Sequence, residues 1–553
     1  MALKFAGALL LVTSQGAFAQ SNLSGGQLQQ IPRAPVAPQA TPELTIIPRA
    51  MTPDDGPAGA SIRVSTLRVT GQTLFSEPEL IAASGFVSGS DMTLSQLRGM
   101  AAKITAFYNA RGYFVAQAYL PAQEIKNGEV AIAVVEGHYG KVAIDNRSPL
   151  STRVARGVLA GLDPGDVVES APLERRLLLL SDVPGVRVKS TLAPGEMPGS
   201  SDLTVELVPG PRVTGSVEAD NAGNRYTGRY RFGGTVNLND PLGIGDMLSL
   251  RVLASTAGLA YGRAAYQAPI GNLTVGVAYS RVRYDLGKEF EVLDASGTAE
   301  VASVYASYPL IRSRAANVYA VAGFDAKRFT DRVGLLDTES KRSSRVMTGG
   351  VNADSRDNFA GGGSTSASLI WSYGALDIKN PFDRAIDAAS GRTQGHFNKL
   401  AFSGARLQTV TGPLSVYGSV RGQFAFDNLD SSEKMELGGA YGVRAYPEGE
   451  AYGDQGYIAT AEARLGLSQW LAGVPGSFQA IAFVDVGQVD YAKDPWFVGP
   501  NRSHRSGYGG GLSWAGPERI LVNATYARKL GSQDATSAPD RAGRFWFGVV
   551  KLF

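Results

Sequence analysis

The chain has 553 residues, a formal net charge of +3 and no cysteine. This length allows several domains, and the near-neutral charge gives no reason to expect nucleic acid as a partner. The absence of cysteine excludes disulfides, cysteine-ligated zinc and a thiol nucleophile. The three histidines, His138, His396 and His504, are isolated in the sequence, so we predict no metal site and no cofactor.

Residues 1–19 have the features of a cleaved secretory signal. Lys4 supplies a positive charge, residues 5–12 are apolar, and Ala17-Phe18-Ala19 is an A-x-A cleavage site. No later segment has the run of about 18 apolar residues that marks a membrane-spanning helix. A bacterial envelope protein with these properties is either soluble or a β-barrel.

Residues 20–60 are polar and rich in proline, with no apolar periodicity. This composition predicts an extended or disordered Pro-rich linker.

Residues 61–137 predict a unit in the order strand, helix, helix, strand, strand. Ser76 and Thr93 are positioned to begin the two helices, and Gly112 to end the second. Residues 138–210 repeat the order more loosely, with helices expected over 151–162 and 169–181. Each unit has its own apolar positions, so we expect this part of the chain to fold without lipid.

From residue 211 to residue 553, short alternating segments replace the helical pattern. In residues 273–280, 414–421 and 520–527, one face is apolar and the other is polar or small, as expected for a barrel with lipid outside and water inside. The region fits about sixteen strands of about ten residues with their turns. A β-sandwich would alternate similarly, but this length and the terminal Phe553 favour a transmembrane β-barrel.

A glycine-rich segment with one arginine interrupts these strands. Its motif residues are Gly442, Val443, Arg444, Tyr446, Gly453, Asp454 and Gly456. The glycines permit tight turns, and the guanidinium of Arg444 favours a carboxylate. On a later strand, Phe483, Asp485 and Gly487 share one face, and apolar residues occupy the other. With the apolar face toward lipid, Asp485 would point into the lumen.

The arginine loop followed by F-x-D-x-G resembles the two-partner-secretion (TpsB-type) transporters of the haemolysin/haemagglutinin activator type. Ala445 stands where the family motif usually has glycine. The resemblance covers nearly the whole mature chain. It implies an outer-membrane β-barrel of about sixteen antiparallel strands over residues 211–553, preceded by two periplasmic α+β POTRA domains over 61–137 and 138–210.

By resemblance, the protein exports one dedicated secreted partner, typically a large adhesin or haemolysin, whose N-terminal secretion domain binds the POTRA domains. Outer-membrane lipid would surround the barrel, and barrel-assembly machinery would insert it. The Arg444 loop would fold into the lumen and bind Asp485, either to gate the pore or to brace it. Many relatives carry a plug helix. Here the prolines after residue 31 end any such helix early, so we expect no stable plug.

The motif inventory contains no P-loop and no complete G-x-S-x-G, so we predict neither an enzyme nor a nucleotide energy source. Two alternatives stay open at this stage. A barrel-assembly factor would share the arginine loop but usually has more POTRA domains than fit here. A passive porin or surface receptor would need neither the POTRA domains nor the loop.

Overall fold

The computed structural model describes residues 23–35, 42–47, 61–471 and 473–553. The predicted signal at residues 1–19 lies outside these ranges. The chain divides into two compact units, an α+β unit built from residues 39–211 with 243–245, and a barrel unit built from the rest. Among the described residues, no helix is long and apolar enough to cross a membrane.

The first described element is helix α1 (Ser24–Gln29), which belongs to the barrel unit. The elements of the α+β unit follow in chain order: β1 (Glu43–Ile46), β2 (Ser61–Val64), β3 (Thr66–Thr70), α2 (Glu77–Ser84), β4 (Ser90–Thr93), α3 (Leu94–Asn109), β5 (Gln117–Tyr119), β6 (Glu129–Val135), β7 (His138–Asn146), α4 (Thr152–Val158), α5 (Ser170–Ser181), β8 (Val186–Pro194) and β9 (Ser200–Pro209).

In the first α+β domain, the two helices begin at the capping residues that the sequence predicts. Ser76 and Thr93 begin α2 and α3 with capping boxes, as their sequence context predicts. Helix α3 then packs against a sheet in the order β3-β6-β5. The strand predicted over residues 113–120 is shorter, because residues 110–116 form the turns that close α3, with the amide of Tyr113 donating to the carbonyl of Tyr108 (3.1 Å).

The second α+β domain has a sheet in the order β1-β8-β9-β7, covered by α4 and α5. Strand β1 comes from the segment predicted to be a linker, and it pairs in parallel with β8. This part of the linker prediction was wrong. Pro42 and Pro48 flank the strand, so residues 43–47 keep their amides, and Leu44 packs against the domain core.

The barrel unit is a closed antiparallel barrel. Its strands are β10 (Val213–Asp220), β11 (Arg231–Asn239), β12 (Met247–Ser255), β13 (Leu259–Ile270), β14 (Leu273–Asp285), β15 (Ala295–Arg312), β16 (Ala316–Val333), β17 (Thr338–Asp357), β18 (Gly363–Ile378), β19 (Gly395–Thr411), β20 (Leu414–Ala425), β23 (Gln455–Gly466), β24 (Ser477–Asp490), β25 (Arg502–Ala515), β26 (Ile520–Lys529) and β27 (Gly543–Leu552). These sixteen strands close where β10 pairs with β27. The predicted alternation holds, since Val484 faces outward while Asp485 beside it is fully buried.

Three further elements lie in loops of the barrel. They are β21 (Met435–Glu436) and β22 (Tyr452–Gly453), which pair with each other between β20 and β23, and helix α6 (Pro381–Ala388) between β18 and β19. Short 3₁₀ segments occupy several of the remaining hairpins.

Helix α1 lies inside the barrel, where no plug helix was expected. The backbone amide and hydroxyl of Ser24 donate to the carboxylate of Asp331 on β16 (2.8 and 3.0 Å). The hydroxyl of Thr227 donates to the Gln27 side chain (3.1 Å), and the Gln30 amide donates to the Tyr452 hydroxyl (3.0 Å). A helix this short is marginal alone. Contacts with the barrel stabilise it, and it ends before the first proline, Pro32, is reached.

Glu136, just after β6, is a buried carboxylate that organises the first α+β domain. It accepts hydrogen bonds from the amides of Thr73 and Leu74 (2.7 and 2.9 Å) and from the Tyr108 hydroxyl (2.8 Å). Burial opposes its ionisation, but these hydrogen bonds outweigh burial and lower its pKa.

Because the folded-state pKa of Glu136 is lowered, its carboxylate stabilises the domain above the unfolded-state pKa of about 4.5. That contribution is lost as the pH falls through the folded-state pKa. Glu136→Gln should destabilise a soluble 42–210 fragment by about 1–3 kcal/mol at pH 7, since an amide replaces an acceptor facing several donors. It should also reduce the acid sensitivity seen in urea denaturation. Glu129→Gln, at the exposed start of β6, is the control. Unchanged acid sensitivity would contradict this role.

Candidate functional site

The loop over residues 426–454, between β20 and β23, turns back into the barrel interior; we call it the inward loop. Its β21–β22 pair forms a small hairpin, and Val443 and Tyr446 are fully buried. They pack with Leu437 and with wall residues Ile458 and Phe483. The segment singled out in the sequence therefore lies against the inner wall of the barrel.

Arg444 binds Asp485 on the wall with two parallel hydrogen bonds. Its Nε donates to Oδ2 (2.8 Å) and its Nη2 to Oδ1 (2.7 Å), and the Arg444 backbone amide adds a weaker contact to Oδ2 (3.2 Å). The Thr460 hydroxyl donates to Oδ1 from the next strand (2.9 Å). This fork geometry is the strong form of an arginine–carboxylate pair. The structure thus brings the two predicted partners together.

Three further groups hold Arg444, and the sequence reasoning missed two of them. Its Nη1 lies 2.9 Å from Oε1 of Glu462, and its guanidinium carbon lies 3.4 Å from the centre of the Phe483 ring. The indole of Trp546 donates to the Arg444 carbonyl (2.7 Å). Glu462 could have been found from the alternation Thr460, Glu462, Arg464, whose polar face must point inward.

The charges around Arg444 balance. Glu462 also binds Arg464 through its other oxygen (Nη2–Oε2 2.6 Å), so two arginines face two carboxylates. Asp485 is fully buried and the Glu462 side chain is 7% exposed. Such a buried pair is costly to assemble unless every polar atom has a partner. Here the wall and the loop supply those partners.

Glycines make the close contacts between loop and wall possible. A Cβ on Gly442 would lie 2.2 Å from the Leu437 carbonyl oxygen, and one on Gly487 would lie 3.0 Å from Cδ2 of Leu437. Ala445, at the family's glycine position, does not have a positive φ. Its Cβ occupies space left by Gly507 on β25, where an added Cβ would lie 2.5 Å away. The substitution is therefore accommodated by the wall.

The remaining predicted residues lie at the return of the loop. Gly453 belongs to β22, and Gly456 is the second residue of β23, beside the Gln488 carbonyl. Asp454 is fully buried and binds the ammonium of Lys434 (2.7 Å) and the amide of Lys493 (2.8 Å). Asp454 thus fixes the base of the inward loop.

A second anchor near the tip of the inward loop was not foreseen. Arg505 on β25 donates through Nε and Nη2 to Oε1 of Glu450 (3.0 and 2.7 Å). The amides of Thr536 and Ser537 donate to Oε2 (2.8 and 2.9 Å). Tyr446 donates its hydroxyl to the Gln533 carbonyl (3.0 Å). Sequence distance hides these contacts, since the barrel brings the inward loop beside β25 and the β26–β27 loop.

This site is a binding arrangement. In the ranges that the structure describes, no group of three or more His, Asp or Glu side chains could hold a metal ion. The charged residues bind one another, and they hold a long loop inside a water-facing lumen. Fold and site together define an outer-membrane barrel with periplasmic POTRA domains and an inward-folded loop.

Comparison with known proteins identifies the family. Residues 199–503 match the family described as haemolysin secretion/activation protein ShlB/FhaC/HecB, and residues 62–137 match the POTRA domain, ShlB-type. The chain belongs to the ShlB/FhaC/HecB family. It is therefore an outer-membrane transporter of the two-partner-secretion type, which exports a dedicated partner protein. Of the alternatives considered from sequence, this membership favours export over barrel assembly or passive diffusion.

Individual relatives cover most of the chain. It is 29% identical over 472 residues to the heme/hemopexin transporter protein HuxB of Haemophilus influenzae, covering 84% of this chain and 82% of the relative. It is 23% identical over 464 residues to the outer membrane transporter CdiB of Dickeya dadantii, covering 80% and 79%. The structure of CdiB from Escherichia coli has the same fold, with a TM-score of 0.70 at 21% identity, covering 100% of this chain and 98% of that one.

Arg444→Gln and Asp485→Asn should each strongly reduce the amount of partner protein released to the medium. Either change leaves the opposite charge buried without its two parallel hydrogen bonds. The double variant should be little worse than either single variant, since contacting groups couple by about 0.5–3 kcal/mol. Arg502→Gln is the control, because the Arg502 side chain is 66% exposed in its pair with Asp490. Fully additive defects would show that the pair does not act as a unit.

Proposed function

We propose that the inward loop and α1 together close the lumen of this transporter at rest, and that export of the partner requires both to leave their positions. The observation that carries the proposal is the shared set of polar contacts among α1, the inward loop and the wall. The Arg444 site is then a latch and not a static brace.

The contacts run from α1 through the wall to the loop. Asp331 accepts hydrogen bonds from Ser24 of α1 and lies 2.9 Å from Nη2 of Arg342 on β17. Arg342 also binds Asp430 of the inward loop. The Asp331–Arg342 pair therefore binds α1 through Asp331 and the inward loop through Arg342. Displacement of one segment weakens the attachment of the other.

A second connection joins α1 directly to the inward loop. The Gln30 amide and the Gly26 carbonyl both bind the hydroxyl of Tyr452 (3.0 and 3.3 Å). On the wall, Lys327 and Lys399 bind the two oxygens of Glu433 (2.6 and 2.9 Å). These are polar contacts that water can replace, which suits segments that must move and return.

The exported partner, of adhesin or haemolysin type, would pass through the opened lumen as an extended chain. No nucleotide is required in this proposal, because folding of the partner outside the cell supplies the free energy. The barrel-assembly machinery would insert the transporter itself into the outer membrane.

Gly25→Val should raise the mean conductance of the purified transporter in planar bilayers several-fold. A Cβ on Gly25 would lie 2.6 Å from Oγ of Ser431 and 2.7 Å from the amide nitrogen of Ser432, so the larger side chain cannot fit beneath the inward loop and α1 is displaced. Gly418→Val, on the outward face of β20 with open space around it, is the matched control. Equal conductance for Gly25→Val and the wild-type protein would contradict closure by α1.

For recognition, we propose that an extended strand of the partner's secretion domain adds to the edge of β8, in place of β1. Strand addition needs an edge with free backbone groups. In the first domain, the Val69 amide of β3 donates to Glu77 (3.0 Å) and the Ala118 amide of β5 donates to the hydroxyl of Thr105 (2.9 Å). Those edges are capped by side chains of the folded domain.

The β8 edge differs, because a short separate strand covers it. Strand β1 has four residues and is mostly exposed. It is held by its ladder with β8, by the Ser190 hydroxyl on the Glu43 carbonyl (3.0 Å) and by the Ile47 amide on the Leu192 carbonyl (2.9 Å). A longer partner strand could make more ladder bonds at the same edge and displace it.

Thr45→Cys/Thr191→Cys should test this exchange, because these residues are paired in register and the chain has no other cysteine. The oxidised protein should bind the partner's secretion domain at least about tenfold more weakly, because the locked strand cannot leave. Reduction should restore binding, so the reduced form is its own control. Ile47→Pro, compared with Ile47→Val, should strengthen binding by loosening β1. Equal affinity of oxidised and reduced forms would place the binding site elsewhere.

A further inference from the structure

An arginine-lined pocket lies at the tip of the inward loop, beside the Arg444 latch. Its lining includes Arg225 and Arg229 from the β10–β11 loop and Arg541 and Arg544 from the β26–β27 hairpin. Pro447 and Glu448 of the inward loop complete it, with Trp546 on the wall. The chain enters β10 from the periplasmic domains, so these two hairpin loops lie at the extracellular end of the barrel.

The pocket holds more positive charge than its own carboxylates neutralise. Arg225 is paired with Glu289 (2.6 Å). Within the described ranges, neither Arg229 nor Arg541 has a carboxylate within ion-pair distance, and both are exposed. Glu448 is the acidic residue of the lining, and its carboxylate lies against Gly439 of its own loop. Three of the four arginines in the lining therefore have no ion-pair partner among the described residues.

Arg544 on β27 is the third of these arginines, and among the described residues no carboxylate lies within ion-pair distance of it. Its Nη2 donates to the Pro539 carbonyl (3.2 Å), but its Nε is buried and has no hydrogen-bond partner. The buried Nε is not reachable from the pocket, so a phosphate there would bind the terminal nitrogens of the guanidinium, a group that favours phosphate oxygens.

We propose that this pocket binds a phosphate group through Arg229, Arg541 and Arg544. The phosphate is either a soluble phosphate compound or a phosphate of outer-leaflet lipopolysaccharide. The pocket wall connects directly to the latch, because the Trp546 indole donates to the Arg444 carbonyl and Pro447 follows Arg444 by three residues. A phosphate in this pocket would therefore lie directly beside the inward loop.

The test uses the full-length transporter in detergent, titrated calorimetrically with inorganic phosphate and with pyrophosphate at constant ionic strength set by chloride. A parallel titration uses phosphorylated and dephosphorylated lipopolysaccharide. The wild-type protein should show saturable binding in at least one arm. The Arg229→Gln/Arg541→Gln variant should bind at least about tenfold more weakly, because it loses two positively charged donors to the phosphate.

Two comparisons make the result specific. Arg356→Gln, on an exposed arginine at the other end of the barrel, should bind like the wild-type protein. Arg544→Lys should weaken binding while keeping the charge, since it removes the fork. Binding of pyrophosphate alone would identify a soluble phosphate, and binding of phosphorylated lipopolysaccharide alone would identify the headgroup. Absence of saturable binding in every arm, or equal binding by the Arg229→Gln/Arg541→Gln variant, would overturn the proposal.

Discussion

Arg444 is held by the carboxylates of Asp485 and Glu462 and by the ring of Phe483. Removing charges from water costs several kcal/mol per ion, and only a complete set of partners offsets that cost. The wall strands supply the acceptors and the loop brings the donor, so neither part is satisfied without the other. This mutual dependence keeps the 426–454 loop inside the barrel, and the loop in turn provides one side of the site in which α1 lies.

The interior of this barrel combines polar and charged contacts with three apolar clusters among the described residues. They lie around Val443 and Tyr446, around Phe397 and Leu429, and around Phe329, against which Leu28 and Ile31 pack. An apolar plug of similar size would pack more simply. Its removal, however, would expose a large apolar surface to the water that fills an open lumen. Ion pairs and hydrogen bonds can exchange their partners for water at a small net cost. A closure of this kind is compatible with a barrel that stays folded when its lumen opens.

The periplasmic domains use a related arrangement at their sheet edges. Free edges invite unwanted strand pairing, and proteins usually block them. Side chains of Glu77 and Thr105 block two edges, while the separate strand β1 covers the edge of β8. The sheet edges are thus protected against aggregation, and at the edge of β8 the protecting strand, β1, can be replaced.

Sequence alone determined the barrel, the POTRA order and the partnership of Arg444 with Asp485. Period-2 alternation and helix-capping residues are local signals, and Phe483, Asp485 and Gly487 share a face because a strand alternates. Tertiary structure decided the rest. Trp546 and Gly507 reach Arg444 or its neighbour Ala445 only because the barrel brings β27 and β25 beside the inward loop. Strand β1 and helix α1 were missed because their stability comes from a sheet edge and a polar lumen, and not from their own proline-rich composition.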